Sequence, residues 1–354
     1  MNILHLTKDF IQLNGISTFI KSLIPNDRNN NHFVASNLIV AEFRRALNKN
    51  IIEQILPIKT SQLLPNILHV IKICKANKID VIHSHHRYYD LLAYYLSKIY
   101  SIKTITTVHS KVYGKKKLSY KVHKIVAVGD SIKKHLIKYY RINENRITEI
   151  NNFIDPKLIK LTKDKESIKS ELHLVDKYVI GYVGRFDIEE KGIDILIDAI
   201  PKVFAESKDV IFVFIGDGKD EEYLVSKTRK VYHNVRIINA KLDIFNYMQI
   251  FNLIILPSRI DSFPLVMLEA AYLKIPLIGS NVDGISEFIE DGINGLLFTP
   301  EDHEDLSNKI ILLINNTDKA KELGERLYQK VISEFTSDKI IPKYDKIYKS
   351  ILSE

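Results

Sequence analysis

Two periodicities alternate along this chain. Short apolar runs rich in Val and Ile are separated by longer stretches whose apolar side chains return every three or four positions. The first pattern suits strands of a parallel sheet buried on both faces, and the second suits the helices that cover it. In the leading half, strands are predicted at Asn2–Leu6, His32–Val40, Val81–His83, Thr104–Val108 and Lys124–Val128. Helices are predicted at Ile16–Leu23, Pro65–Asn77, Tyr88–Ser97 and Asp130–Tyr139, with Asp130 and Ser131 as N-cap candidates. Within Asn66–Asn77 the residues Ile67, Val70, Ile71 and Cys74 share a face, which assigns Cys74 to a core.

Asp155–Lys177 is polar, lysine-rich and only loosely helical, and reads as a domain boundary. The rhythm then restarts. Strands are predicted at Tyr178–Gly184, Val210–Ile215, Val235–Ile238, Leu253–Leu256, Pro276–Ile278 and Gly295–Phe298. Between them lie predicted helices at Asp194–Ala205, Asp220–Val231, Ile244–Met248, Leu265–Leu273, Ile285–Ile289 and Asp302–Ile314. A last helix, Asp338–Leu352, has no strand after it. The pattern predicts an α/β protein with two doubly wound Rossmann-like domains, residues 1–160 and 176–335, and a C-terminal helix at 338–354. Such domains bind ligands at the carboxyl ends of their strands, and two of them facing one another would place the site in the cleft between.

Composition narrows the class. The chain has 354 residues, more than one ordinary core accommodates. It is 45% apolar and 27% charged, which fits a globular protein. No apolar run is long enough to span a bilayer, and Met1–Asp9 lacks the features of a signal peptide. Cys74 is the only cysteine, which excludes a disulfide scaffold and cysteine-based zinc sites and agrees with a cytoplasmic setting. Charge is unevenly shared. Residues 1–165 hold 28 Lys and Arg against 11 Asp and Glu, whereas the remainder holds 23 against 32. The segment Lys111–Lys124 alone carries six lysines and no acidic residue. A polyanionic partner of the leading half follows: nucleic acid, an anionic bilayer or a phosphorylated substrate.

Glycines at strand ends are the next signal. Gly216-Asp217-Gly218 would need a third glycine at 221 to make a dinucleotide fingerprint, and Glu221 stands there. A P-loop is absent too. Gly184-Arg185 and Lys191-Gly192 instead put two cations beside a helix start, a pairing that suits a diphosphate. Residues 257–269 then bring Asp261 and Glu269 around a tight turn. Carboxylates beside a diphosphate would repel it, so their natural ligands are hydroxyls. His83, His85 and His86 cluster at a strand end, but no partner cysteine or H-x-x-x-H helix supports a metal site.

These motifs resemble those of the family 4 glycosyltransferases, retaining enzymes of the two-domain GT-B fold. The similarity runs over nearly the whole chain and is strongest at Gly184-Arg185, Lys191-Gly192, Asp261 to Ala270, Val282 to Glu287 and Asp291 to Leu296. Leu13 to Ser17, Val108-His109-Ser110, Val128 to Ser131 and Ile150 to Asp155 match more weakly. The resemblance implies that Arg185 and Lys191 bind the nucleotide diphosphate and stabilise it as leaving group. It implies that Glu269 holds the ribose hydroxyls and that Asp261 reads hydroxyls of the transferred sugar. Backbone groups of Ser262, Phe263, Pro264, Leu265 and Val266 would contact donor sugar and phosphate, with Asn239 near the base. Gly15 would let the backbone approach the diphosphate, and His109 would sit near the reacting face of the sugar. The GT-B resemblance also leaves the last helix free to cross back to the first domain.

Three positions depart from the family pattern. Asn14-Gly15 replaces Gly-Gly, Asp261 stands where glutamate is usual, and Asn151-Asn152-Phe153 replaces Pro-Asn-Gly. The expected reaction is transfer of a hexose or N-acetylhexosamine from a nucleotide sugar, with UDP the expected carrier, and without metal or other cofactor. The expected acceptor is a lipid-diphosphate-linked glycan of O-antigen or capsule synthesis. Lys115, Lys116, Lys117 and Lys121 would meet this acceptor or the anionic inner face of the cytoplasmic membrane, and no nucleic acid. A nucleotide-sugar epimerase or a glycan phosphorylase would share the fold, and a basic nucleic-acid-binding protein would explain the charge but leave Arg185, Lys191, Asp261 and Glu269 without a role.

Overall fold

The computed structural model describes residues 1–10, 15–39, 51–53, 62–228, 233–241 and 243–353. The predicted ends Val40 and Val231, and Leu13 and Asn14 of the first loop, lie outside these residues. The chain forms two units, Met1–Phe153 with Ser337–Glu354, and Ile154–Thr336.

In the first unit the strands are β1 (Asn2–Phe10), β2 (Asn31–Ile39), β3 (Ile51–Glu53), β4 (Val81–Ser84), β5 (Lys103–Val108), β6 (Lys124–Ala127) and β7 (Ile147–Glu149). They pair in parallel in the order β3-β2-β1-β4-β5-β6-β7. Helices α1 (Gly15–Leu23), α2 (Leu63–Asn77), α3 (Arg87–Tyr100) and α4 (Asp130–Lys138) connect them. The order turns back between β1 and β4, so the loops after these strands diverge and leave a crevice at their carboxyl ends. Cys74 on α2 is buried in the core, and burial pushes its thiol up to about 12. The N-cap expected at Asp130 or Ser131 falls instead on Gly129, which gives no side-chain cap. Asp130 is already the first helical residue.

The second unit has β8 (Tyr178–Val183), β9 (Val210–Gly216), β10 (Val235–Asn239), β11 (Leu253–Leu256), β12 (Leu277–Ser280) and β13 (Leu296–Phe298). Their order is β10-β9-β8-β11-β12-β13, again wholly parallel. The helices are α5 (Lys165–Glu171), α6 (Ile188–Lys191), α7 (Ile193–Glu206), α8 (Glu221–Thr228), α9 (Ile244–Met248), α10 (Leu265–Tyr272), α11 (Asp283–Phe288), α12 (His303–Ile314) and α13 (Thr317–Glu334). Here the reversal falls between β8 and β11. A core of Phe212, Phe214, Leu253, Ile255, Ile278 and Phe298 joins the sheet to Leu196, Ile200 and Val203 of α7.

The polar segment read as a boundary belongs to this second unit, which begins at Ile154 rather than at 176. Ile154 N–H donates to the Phe335 carbonyl at 3.0 Å. The Asn246 side chain accepts the amides of Thr162 and Lys163 at 2.8 and 3.1 Å. These ties join positions far apart in sequence, where composition carries no sign of them. The last helix, α14 (Ser337–Ser353), returns to the first unit. Ile340, Tyr344, Ile347, Tyr348 and Ile351 line its inner face and pack with Ile3, Phe19, Val81 and Ile105. That stripe at helical spacing explains why no further strand is needed.

Candidate active site

In the second unit, the topological reversal puts the loops after β8 and β11 side by side. The loop after β8 opens with Gly184-Arg185, and Phe186 N–H donates to the Asp217 carbonyl of the loop after β9 at 2.7 Å. A methyl group on Gly216 would collide with the Gly184 carbonyl, and one on Gly218 with the backbone of Phe186. These glycines let two loops touch, a packing role rather than part of a dinucleotide fingerprint. Asp187 caps α6 by accepting from Glu190 N–H at 2.9 Å. Gly192 follows with φ +60°, and any side chain there would strike the Pro257 carbonyl. Glycine after Lys191 therefore allows α6 to end against the loop that follows β11.

That approach joins the two motifs. Lys191 Nζ lies 2.6 Å from Asp261 Oδ2, which also accepts from Ser258 Oγ at 3.3 Å. Arg185 is exposed and pairs with Glu190, with Asp187 3.7 Å away. Both cations predicted to hold a diphosphate thus carry counter-charges of their own.

Arg259 is the residue that sequence reasoning missed. Its guanidinium grips Asp194 of α7 with two bonds at 2.7 and 2.8 Å and Glu301 at 2.7 Å. The amides of Arg259 and Ile260 donate to the Glu190 carbonyl at 2.9 and 3.1 Å. The loop bearing Asp261 is thereby clamped to the helix bearing Lys191. A planar fork suited to one carboxylate was visible in the Pro-Ser-Arg run, but its partner lies 65 positions away.

The same loop runs into α10. Phe263 is buried against Phe335 and Phe288, leaving only its backbone for a ligand. Pro264, expected to contribute to the amide cradle, precedes the helix as its N-cap and has no N–H to give. The first-turn amides of Leu265 and Val266 remain for such a cradle, since no intrahelical carbonyl reaches them. Ser262 is buried, and Gly284 is required because a side chain there would strike the Ser262 carbonyl. Glu269 on α10 is half-buried and receives no hydrogen bond or ion pair at its carboxylate among the described residues. Burial pushes its carboxyl up to about 7. Asn239 ends β10, exposed, and Ala240 N–H beside it donates to the Gly216 carbonyl at 3.1 Å.

In the first unit, Gly15 opens α1 at the carboxyl end of β1, and His109 follows β5 directly. His109 is half-buried, and its Nε2 lies 3.2 Å from His85 Nδ1. Burial, with the nearby His86 adding to it, pushes the His109 imidazole down to about 3. His83 and His85 do cluster, but with His5 and His32 rather than with His86. Nitrogens of His5, His83 and His85 lie within 4.8 Å of one another. Each ring nitrogen of these three already has a hydrogen-bond partner, so an ion there would have to displace several bonds. Lys115, Lys116, Lys117 and Lys121 are exposed, beside exposed Tyr113 and Leu118. Lys116 Nζ stands 4.0 Å from the Tyr139 ring centroid.

Both halves of the chain match known families. Residues 163–330 match the family described as glycosyl transferases group 1, and residues 21–158 match glycosyltransferase family 4. An uncharacterized glycosyltransferase of Methanocaldococcus jannaschii is 28% identical over 294 residues, covering 79% of this chain and 78% of that protein. The capsular polysaccharide biosynthesis glycosyltransferase CapM of Staphylococcus aureus is 28% identical over 240 residues, covering 65% and 62% respectively. The crystal structure of Anabaena HepE in complex with UDP-glucose superposes with a TM-score of 0.87 at 19% identity, over 99% of this chain and 100% of that one. With two Rossmann-like units, a motif-bearing strand-end site in the second and a match to each half, the chain belongs to the family 4 glycosyltransferases of the GT-B fold.

Proposed function

We propose that this glycosyltransferase moves a hexose or N-acetylhexosamine from UDP, with retention, onto a lipid-diphosphate-linked glycan of surface-polysaccharide synthesis. The Lys191–Asp261 ion pair at the strand ends carries the reading. It sets a cation for a diphosphate and a carboxylate for hydroxyls in one place, on the loop that leads into the amides of α10. A bound pyrophosphate takes Lys191 and Arg185 from their present partners. Asp261 is then released to accept from sugar hydroxyls while Glu269 accepts from the ribose. Leaving-group charge falls to these two side chains and to the amides of Leu265 and Val266, so the reaction as proposed needs no metal. His109 meets the sugar, and Asn239 the base. Retention follows if the acceptor attacks the face the phosphate leaves and that phosphate takes its proton.

Two relatives support the substrate classes: HepE was solved with UDP-glucose, and CapM is a capsular polysaccharide enzyme. The exposed lysines at 115, 116, 117 and 121 support docking on the anionic inner face of the cytoplasmic membrane. No described helix is long and apolar enough to cross a membrane. The direct test is a thermal-shift screen of nucleotide sugars, followed by transfer assays of the stabilising donors with lipid-linked acceptors in chelator. A UDP-sugar is expected to stabilise and to turn over with an α-linked product from an α-donor. An inverted product, or dependence on added metal, removes the proposed mechanism. For docking, changing the four lysines to Ala is expected to abolish any preference for anionic over neutral vesicles at low salt.

A further inference from the structure

Five buried or half-buried side chains of the first unit form one unbroken line. Asp27 Oδ2 lies 2.9 Å from His32 Nε2, and His32 Nδ1 lies 2.8 Å from His5 Nε2. His5 Nδ1 lies 3.0 Å from His85 Nε2, and His85 Nδ1 lies 3.2 Å from His109 Nε2. The line crosses the sheet diagonally: His32 is level with Ile3, His83 with His5 and Ile105 with His83, so each ring sits two residues further along than the one before. His32 is on β2, His5 on β1, His85 directly after β4 and His109 directly after β5, in the order in which these strands pair. Consecutive ring centroids stand 5.1, 5.3 and 5.5 Å apart. At that spacing each ring reaches the next, one from each of four neighbouring strands or the residue just after it.

We propose that Asp27 sets the tautomer of His109 through the three imidazoles between them, placing the proton on Nε2 and leaving Nδ1 as a hydrogen-bond acceptor for a substrate hydroxyl. The tautomer is argued without the glycosyltransferase reading, whereas the hydroxyl rests on it.

Proton counting carries the argument. Asp27 accepts from Asn29 N–H at 3.1 Å and from Asn30 Nδ2 at 2.8 Å as well as from His32. Burial opposes its charge, but the bonds from His32, Asn30 and Asn29 prevail and hold its carboxyl below the usual range. An ionised carboxylate has no proton to donate, so the proton on this bond belongs to His32 Nε2. In the arrangement proposed, the one N–H of His32 is spent on Asp27, so His32 Nδ1 accepts and His5 Nε2 donates. The same step repeated makes His85 Nε2 donate to His5, and His109 Nε2 donate to His85. His109 Nδ1 ends the line with a free lone pair and has no partner among the described residues. Burial lowers His5, His85 and His109 below the ordinary imidazole range, which favours the neutral form of these three rings. His83 stacks against the line without joining it, since its nitrogens bond Tyr348 and Thr107 at 2.7 Å each.

One added proton would reverse every bond in the line and put N–H on His109 Nδ1, so the polarity is open to measurement. In the full-length chain labelled with ¹⁵N-histidine, two-bond ¹H–¹⁵N correlation at neutral pH distinguishes the tautomers. His109 is expected to show a protonated Nε2 and an unprotonated Nδ1. A proton on Nδ1, or an imidazolium, overturns the proposal. His32→Phe separates Asp27 from the rings and is expected to leave His109 as a mixture of tautomers. An unchanged His109 spectrum in that variant shows that Asp27 does not set it. Should His32→Phe fail to fold, His5→Phe makes the same cut further along.

Kinetics separate positioning from mere structural support. His109→Gln supplies an amide carbonyl as acceptor, which needs no tautomer. His32→Phe is expected to lower kcat about tenfold in the wild-type background, the cost of one misdirected hydrogen bond, and to have no further effect in the His109→Gln background. Equal losses in both backgrounds would mark the histidines as structural only. The tautomer spectrum is read without substrate, so loss of the glycosyltransferase reading and loss of this wire are separate results.

Discussion

The two units solve opposite electrostatic problems at the carboxyl ends of similar parallel sheets. The first holds 28 Lys and Arg against 12 Asp and Glu, the second 23 against 31. At the candidate donor site of the second unit, polar side chains are charged, paired and partly open to water: Arg185 with Glu190, Lys191 with Asp261. The first unit, despite its basic surface, buries a row of imidazoles linked by hydrogen bonds that run from one buried carboxylate, Asp27, to His109. Charges near solvent are inexpensive and exchange partners easily, which suits a site that must accept and release a diphosphate. Buried imidazoles cannot be charged cheaply, so what they transmit is direction. Exposure accounts for the contrast better than net charge does.

The comparison breaks first if the interior of the first unit tolerates a charge besides that of Asp27. Asp90 on α3 is buried, and burial raises its carboxyl to about 7 against the bonds from the Tyr120 and Lys121 amides and the pull of Arg146. The folded pKa lies above the unfolded one, so the native state holds the proton more tightly. Stability is therefore expected to fall as pH rises from about 4 to about 7, by up to about 4 kcal/mol, and then to level off. Urea unfolding across that window measures the slope, and Asp90→Asn should flatten it. A wild-type curve with no decline would mean that Asp90 ionises in place.

Next in size is the loss of a cation from the second unit. Arg185→Ala is expected to lower kcat by about 10²-fold, since charge on the leaving diphosphate then goes unmatched. Undiminished turnover would remove Arg185 from the site.

Glu269 tests the boundary between the two regimes, being a carboxyl of the charged unit raised by burial to about 7. Only the ionised form accepts two ribose hydroxyls, and its fraction grows as pH rises through that value. Donor affinity measured by calorimetry should tighten about tenfold between about pH 6 and pH 8. Glu269→Gln should bind weakly and without pH dependence; a wild-type affinity that falls with pH would contradict the role.

The smallest effect concerns competition for Lys191. Asp261→Asn removes its counter-ion and should tighten UDP binding about threefold while slowing transfer. Weaker UDP binding in that variant would show that Asp261 orders Lys191 rather than competing for it.

Much of this organisation was legible from residue order. The strands and helices recovered from periodicity are those whose apolar pattern runs over a full turn or a full strand. Two edge strands, Ile51–Glu53 and Ile147–Glu149, are too short to show alternation. Helix α13 was overlooked although Ala320, Leu323, Leu327 and Val331 recur at helical spacing, because Gly324 and many charges dilute the stripe. Gly324 is there because a side chain would strike the Lys274 carbonyl, a constraint from another part of the chain. In the candidate donor site, Arg185, Lys191, Asp261 and Glu269 were picked out from sequence, whereas Arg259 was not. His5 and His32 were passed over as polar interruptions in strands.

Local order along the chain determined two α/β units, their uneven charge, and the types of side chain offered at strand ends, because periodicity and turn chemistry act between near neighbours. Tertiary structure alone decided which of those side chains meet. Parallel strands joined by crossovers are ordered by the sheet rather than by the chain, so positions 5, 27, 32, 85 and 109 fall into one line. The same rule sets Lys191 against Asp261, 70 residues on. Contacts of that range arise from packing and from the hydrogen bonds buried groups must find, and neither is written in any local pattern.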